Sequence, residues 1–542
     1  MYRAVGSFVA VAALIVASWW WRGADIAMPA SPLAHGERLQ CVSYAPFRGQ
    51  QTPLDFSTYI PAAQIEDDLA HLAKLTDCIR IYSVDVGLDQ VPEIAKRHGL
   101  KVLLGIWVSN RRDRTEWQIK TGVALAKRFP ETVQSVIVGN EVLLRGEVTP
   151  ESLAGYIRDV KAEVSQPVTY ADVWEFWMRH SSLAQGVDFI TIHILPYWED
   201  HPIPAGNAAD HIVSIYGQVA AAFPGREILI GEVGWPSAGR MREGARASPA
   251  AQAQVMHDLL ARTKAGNIRL NVIEAFDQPW KRLLEGTVGG HWGFITDPPR
   301  RFKFVWGQPV SNHPHWPWQA LGGVLFAALI FGAARMAQRR SNASELDVPS
   351  RIVVAVIAAA AGMTLGLTVE NALLESLGWS GILRSLMLIV IAIGVPLACA
   401  AALGARIKTP AFADLLANAS VSELRRQHPL QLALLILLMA TTILSVQAAL
   451  GFAFNPRYLD FPFAPLTAAV VPYLLLSLLY PAASATSAPT RAVSETLTAA
   501  TIVLSATYIV WSEGLANWQS LWFCAALLGL AVTLVRAQGV RN

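Results

Sequence analysis

Between residues 40 and 276, short apolar runs rich in branched side chains alternate with helix-length amphipathic stretches, the rhythm of parallel strands that are each followed by a helix. Eight such runs occur, at 41–45, 79–83, 102–107, 135–139, 168–171, 189–193, 228–230 and 271–275. The intervening helices include 61–76, which opens on Pro61 in its first turn, and 150–165, preceded by Thr149 as a capping residue. Eight evenly spaced units over about 250 residues predict a closed (β/α)8 barrel, a TIM barrel, whose active face is the C-terminal end of the strands. A doubly wound open sheet is the alternative, and the even spacing favours closure.

The pattern changes after residue 318, where apolar runs follow one another between charged flanks. A hydrocarbon core of about 30 Å takes about 20 helical residues. Runs of that order lie at 4–20, 320–336, 352–369, 383–403, 430–452, 462–480, 493–511 and 518–535. The chain therefore divides into an N-terminal anchor or signal peptide (1–30), an α/β barrel (38–305), a stiff Pro/Trp hinge (306–318) and an all-α transmembrane bundle of seven helices (319–542). Small residues at 24–30 resemble a cleavage site, whereas Trp19, Trp20 and Trp21 suit an interfacial belt and favour a retained anchor.

Charge orients these spans. Alternate loops carry Arg335, Arg339, Arg340 and Arg351, then Arg406, Lys408, Arg425 and Arg426, then Arg491, then Arg536 and Arg541. The other loops hold only Arg457, with Arg384 at a helix mouth. The positive-inside rule then puts the globular region outside the cytoplasm. Composition agrees with the division: 53% of residues are hydrophobic and 16% charged, and the net charge of +3 has no basic stretch behind it. Nucleic acid is excluded as a partner on that ground. Of the four cysteines, Cys399 and Cys524 lie in apolar runs; Cys41 and Cys78 could pair in an oxidising compartment, but two buried thiols are the expectation.

If the barrel is correct, side chains just after the apolar runs should be chemical ones. They include Tyr44, Arg80, Tyr82, Trp107, Asn140, Glu141, Asp172, His193, Tyr197, Glu232, Trp235, Phe276 and Asp277. Glu141 and Glu232 follow the fourth and seventh strands and would face each other across the mouth. Cleavage of a glycosidic bond needs two such carboxyl groups, and a separation of about 5 Å selects the retaining, covalent route. Aromatics between them would stack on the apolar faces of sugar rings, with Tyr82, Tyr197, Trp280 and Trp292 the strongest candidates. His193 has no second histidine at ligand spacing, so hydrogen bonding rather than a metal is expected, and no cofactor motif is present.

Val138-Gly139-Asn140-Glu141, Gly231 to Ser237 (GEVGWPS), Ile79 to Tyr82 (IRIY), Glu274 to Lys281 (EAFDQPWK) and His291 to Phe294 (HWGF) together resemble glycoside hydrolase family 17. The resemblance covers about residues 38–305 and implies a retaining β-1,3-glucanase or β-1,3-glucan transglycosylase. It implies Glu141 as acid/base, Glu232 as nucleophile and Asn140 beside the sugar 2-hydroxyl, with Lys281 and Glu285 as an accessory pair. Gln278 stands where plant members have an acid. The joined helices look like those of bacterial remodelling enzymes in the inner membrane, with the barrel in the periplasm. Donor and acceptor would be β-1,3-glucan or laminari-oligosaccharides. Transglycosylation is the favoured outcome, endo-hydrolysis the alternative; a glucan-binding sensor or partner of a glucan synthase is a third reading, which the intact acid pair opposes.

Overall fold

The computed structural model describes residues 2–408, 429–480 and 493–537. It divides into two compact units, Ile26–Val310 and Met1–Asp25 with Ser311–Asn542. Arg425, Arg426, Arg491 and Arg541 of the charge argument lie outside the described residues.

The first unit is a closed, all-parallel barrel of eight strands in sequence order. They are β1 (Val42–Ser43), β2 (Cys78–Ile81), β3 (Lys101–Ile106), β4 (Val133–Asn140), β5 (Val168–Val173), β6 (Ile190–His193), β7 (Ile228–Val233) and β8 (Arg269–Val272). The helices that matter for the site are α2 (Ala62–Leu72), α3 (Val91–Arg97), α4 (Arg112–Arg128), α5 (Pro150–Glu163), α6 (Trp174–Arg179), α7 (Ala205–Ala222), α8 (Pro249–Ala265) and α9 (Arg282–Gly289), α1 belonging to the second unit. Thr149 caps α5 as expected, accepting from Ser152 N at 3.3 Å; Pro61 is itself the N-cap of α2 rather than its first helical residue.

Side chains alternate along each strand. One set, including Ile79, Ile81, Val102, Leu104, Ile190 and Ile192, joins the helix faces in the main core. The other set points inward. Cys41, Cys78, Leu103, Ile137, Ala171, Phe189 and Leu229 make an apolar cluster, while Ser43, Arg80, Thr169, Thr191, His193 and Asn271 are buried polar groups on the same strands. The expectation of two free thiols is overturned: Cys41 and Cys78 form a disulfide with their Cα atoms 4.4 Å apart. Parallel pairing of Val42 with Ile79 sets the preceding residues side by side, so the barrel register itself juxtaposes the sulfurs.

The second unit is helical. It contains α1 (Tyr2–Arg22), α10 (Trp316–Arg340), α11 (Val348–Glu375), α12 (Gly378–Ala405), α13 (Pro429–Phe454), α14 (Phe463–Leu479), α15 (Val493–Glu513) and α16 (Trp518–Ala537). Among the described residues, six of these are long and apolar enough to cross a membrane: α1, α10, α11, α12, α13 and α16. The expected spans at 462–480 and 493–511 are helices too, but α14 has only 17 residues and α15 is not among the six. The expected hinge is helical from Trp316 onward, because Pro317 is tolerated in the first turn of α10. Side chains of α1 are part of this packing: Ile15 and Trp19 are fully buried against Gly323, Gly362 and Gly366, where an added Cβ would collide with them.

The disulfide closes 37 residues of chain. Replacing both cysteines by alanine should lower the unfolding free energy of the barrel by about 3–4 kcal/mol through the freed unfolded state, measured by denaturant titration of tryptophan fluorescence.

Candidate active site

Both central acids follow irregularities in strand pairing. The β4–β5 register shifts between Ile137 and Asn140, and the β6–β7 and β7–β8 registers shift at Ile192/His193 and Ile230/Val233. Such slips re-aim a side chain. Gly231 faces inward, so alternation would send Glu232 to the outer face, and the slip turns it toward the mouth. Glu141 takes a left-handed conformation, φ 51°, with its amide donating to Ala171 O at 2.8 Å.

The acids meet through His193 and Arg80. His193 Nδ1 lies 2.9 Å from Glu141 Oε1, and Nε2 lies 3.2 Å from Arg80 Nη1 and 3.6 Å from Glu232 Oε1. A guanidinium only donates, so Nε2 accepts from Arg80 and Nδ1–H donates to Glu141. That leaves the second Glu141 oxygen free to carry a proton. Arg80 also donates to Asn140 Oδ1 at 2.5 Å and to Gly231 O at 2.7 Å, and approaches Glu232 Oε1 at 3.4 Å. A side chain at position 231 would stand 3.2 Å from Arg80 Nη1 and collide with Thr191, so glycine there makes the space for the guanidinium. One oxygen each of Glu141 and Glu232 and a nitrogen of His193 all lie within 4.8 Å of one another. Three such atoms could converge on a cation, but the fixed charge of Arg80 already stands beside Glu232, and we assign no metal to the cluster.

Opposing influences act on Glu141. Burial pushes the Glu141 carboxyl up, and the His193 hydrogen bond with the charges of Arg145 and Arg80 outweighs it, leaving Glu141 below the usual carboxylate value. Asp172 is fully buried behind Glu141, accepting from Tyr170 and from the amides of Val173 at 2.8 Å and Leu144 at 3.4 Å. Burial, reinforced by the Glu141 charge, lifts it to about 6. It braces the loop of Glu141 and is not on the cleft surface.

A second cluster lies beyond Glu232. Lys281 Nζ spans both oxygens of buried Glu274 at 2.9 and 3.0 Å. Burial carries Glu274 to about 7, with Lys281 opposing. Burial would lower Lys281, but the charges of Glu274, Glu285 and Glu232 hold it above the usual lysine value. The two shifts agree if one ammonium is shared among three acids. Tyr82 stands between, its hydroxyl 2.8 Å from Ser43 Oγ and its ring 4.5 Å from the Arg80 guanidinium carbon.

Several aromatics expected at the cleft are packed instead. Tyr197 is fully buried, donates to Arg240 O at 2.8 Å and meets Trp235 and Trp292 edge-on; Trp198 stacks on Trp292. Tyr44 and Phe276 are buried against each other, with Tyr44 donating to Asp68 at 3.0 Å. Proximity to a strand end does not say which way a ring points. Asp277 is likewise a hub, accepting from Lys303 at 2.6 Å and from Gly293 N at 3.0 Å, and Lys303 and His291 keep it below the usual aspartate value despite burial. Trp280 remains half-buried, its indole donating to Gln278 at 2.9 Å. Sequence reasoning missed Arg145, which donates to Asn140 O and Val108 O and covers Trp107 at 4.2 Å. It also missed Asn271, which donates to Ser43 and Gly231 O; its inward position on β8 was the available signal.

A closed βα barrel with two carboxylates this close at its mouth is a glycosidase-type enzyme. Residues 41–293 match the family model described as the BtgE/BtgC glycoside hydrolase domain. A glucan 1,3-beta-glucosidase of Saccharomyces cerevisiae is 24% identical over 253 residues, 43% of this chain and 81% of that protein. One from Arthroderma benhamiae is 28% identical over 264 residues, 45% of this chain and 83% of that protein. Against relatives from Aspergillus niger and Aspergillus flavus the match spans only 40% and 42% of their length. Crystal structures of a glycoside hydrolase family 17 β-1,3-glucanosyltransferase from Rhizomucor miehei, and of its active-site mutant with laminaritriose, are 28% identical, covering 49% of this chain and 97% of theirs, with TM-scores of 0.42 and 0.43.

Since His193 donates to Glu141, His193→Ala should raise the Glu141 pKa. The limb of the pH–activity profile that requires protonated Glu141 then moves to higher pH, while His193→Gln, which keeps a donor, moves it less.

Proposed function

We propose that the chain is a retaining, β-1,3-glucan-active enzyme whose favoured reaction is glucanosyl transfer. The observation that carries the retaining mechanism is the approach of Glu141 and Glu232 oxygens within 4.8 Å, in the range of the retaining route and well short of the about 6.5–9.5 Å that an inverting pair uses. Glu232, 3.4 Å from a guanidinium, is the nucleophile. Its carboxylate attacks the anomeric carbon as the glycosidic C–O bond breaks, and Glu141 gives its proton to the departing oxygen. Glu141, now a carboxylate, takes a proton from the incoming hydroxyl as that oxygen displaces the ester and frees Glu232. Arg80 and Asn140 hold the nucleophile side; Tyr82, Trp280, Lys281 and Glu285 border it. The sugar is inferred from the names of the relatives and from the motifs shared with family 17.

Transfer is supported by the Trp107 ring under Arg145, whose amide donates to Glu141 O at 2.9 Å, as a platform where an acceptor sugar would compete with water. Endo-hydrolysis is the second reading, favoured by the name of the Aspergillus niger relative, a putative glucan endo-1,3-beta-glucosidase. We place the barrel (38–305) in the periplasm and the helices, with α1 retained, in a bacterial inner membrane, where they anchor the enzyme or meet a glucan synthase. The alternation of basic loops, six apolar helices and a disulfide support that setting.

Glu232→Ala should lose activity by at least about 10³-fold and regain turnover with azide, giving an α-glucosyl azide; retained activity without azide would remove the nucleophile assignment. On a laminari-oligosaccharide ladder, mass analysis should show products longer than the substrate at high concentration, and shorter products alone would leave hydrolysis.

A further inference from the structure

The loop between β1 and α2 carries apolar side chains into water. Leu54, Phe56 and Tyr59 are 51%, 54% and 64% exposed, on the rim of the barrel that holds the acids. They are held in place rather than loose. Asp55 Oδ1 accepts from Ser57 N at 2.9 Å and Ser57 Oγ at 2.7 Å. Buried Ile60 donates its amide to Val86 O at 2.8 Å, and a Cβ at Gly87 would come within 2.4 Å of Ile60 O. Gln90 donates to the Tyr59 hydroxyl at 3.1 Å. The Arg114 guanidinium carbon lies 3.1 Å from the centre of the Phe56 ring, and Trp117, three residues further on α4, is 49% exposed. Because α4 follows β3, the patch joins the first and third βα segments on the active face.

Rigid aromatic faces beside a guanidinium are the chemistry that binds a pyranose, whose C–H faces stack on rings while its hydroxyls take the polar donor. A bilayer surface would instead call for an unopposed basic rim. Here Arg111 and Arg112 pair with Asp113 at 3.3 Å and Glu116 at 2.8 Å. We propose that Phe56, Tyr59 and Trp117, with Arg114, form a remote subsite for distal glucosyl units of the β-glucan chain whose scissile bond lies between Glu141 and Glu232. The proposal rests on the function given above and adds to it a length dependence.

The full-length protein in detergent is assayed on laminari-oligosaccharides from three to eight or more units, as wild type and as the Phe56→Ala/Tyr59→Ala and Trp117→Ala variants. The first variant should lose about tenfold in kcat/KM on the longest chains, with laminaritriose turnover unchanged; that ratio corresponds to about 1.4 kcal/mol. An unchanged length profile, or an equal loss at every length, overturns the subsite while leaving the catalytic reading intact. Weakened binding to anionic phospholipid vesicles with an unaltered length profile also overturns it, in favour of a bilayer contact. Wild type that turns over none of the oligosaccharides sinks the catalytic reading and the subsite with it.

Discussion

The Arg80 guanidinium sits inside the barrel with 1% of its surface exposed, and a charge so placed is tolerated only where its surroundings answer it. Asn140, the Gly231 carbonyl, His193, Glu232 and the face of Tyr82 supply that answer from β2, β4, β6 and β7. The dependence runs both ways. The charge stands 3.4 Å from Glu232, fixes the His193 tautomer through Nε2, and so determines which Glu141 oxygen accepts and which is free. Removing Arg80 would leave a buried histidine without its donor and a buried carboxylate without its partner, a loss of several kcal/mol by the general behaviour of broken buried pairs.

Two features of the backbone make room for this arrangement. Glycine at 231 opens the volume that the guanidinium fills, and the register slips near Asn140 and Glu232 turn the functional side chains inward from strands whose alternation would point them elsewhere. Behind them, Asp172 and Glu274 are acids raised by burial to about 6 and about 7, close enough to bias Glu141 and Lys281 respectively.

The eight strands were legible because a parallel barrel writes itself as branched apolar runs at regular spacing, and all eight occur near their expected places. Glu141, Glu232, Arg80 and His193 were legible because strand ends point at one face. The disulfide was not, since the pairing of Cys41 with Cys78 depends on the β1–β2 register, a long-range property. Tyr197, Trp235 and Trp292 were misplaced because a ring one or two residues past a strand can turn to the mouth or fold under it, and mutual edge-on packing decided the second. Arg145 and Lys303 return to the site from flanking loops on long side chains, which no local pattern records.

The central claim is that Glu232 forms the covalent intermediate. Incubating the full-length protein with an activated 2-deoxy-2-fluoro-laminaribiosyl donor, followed by peptide mass mapping, tests it most directly. The account predicts a single glycosyl adduct on the peptide containing Gly231–Ser237, localised to Glu232 and absent in Glu232→Gln. Turnover of the natural sugar with inverted anomeric configuration and no adduct, or an adduct on Glu141, would contradict it.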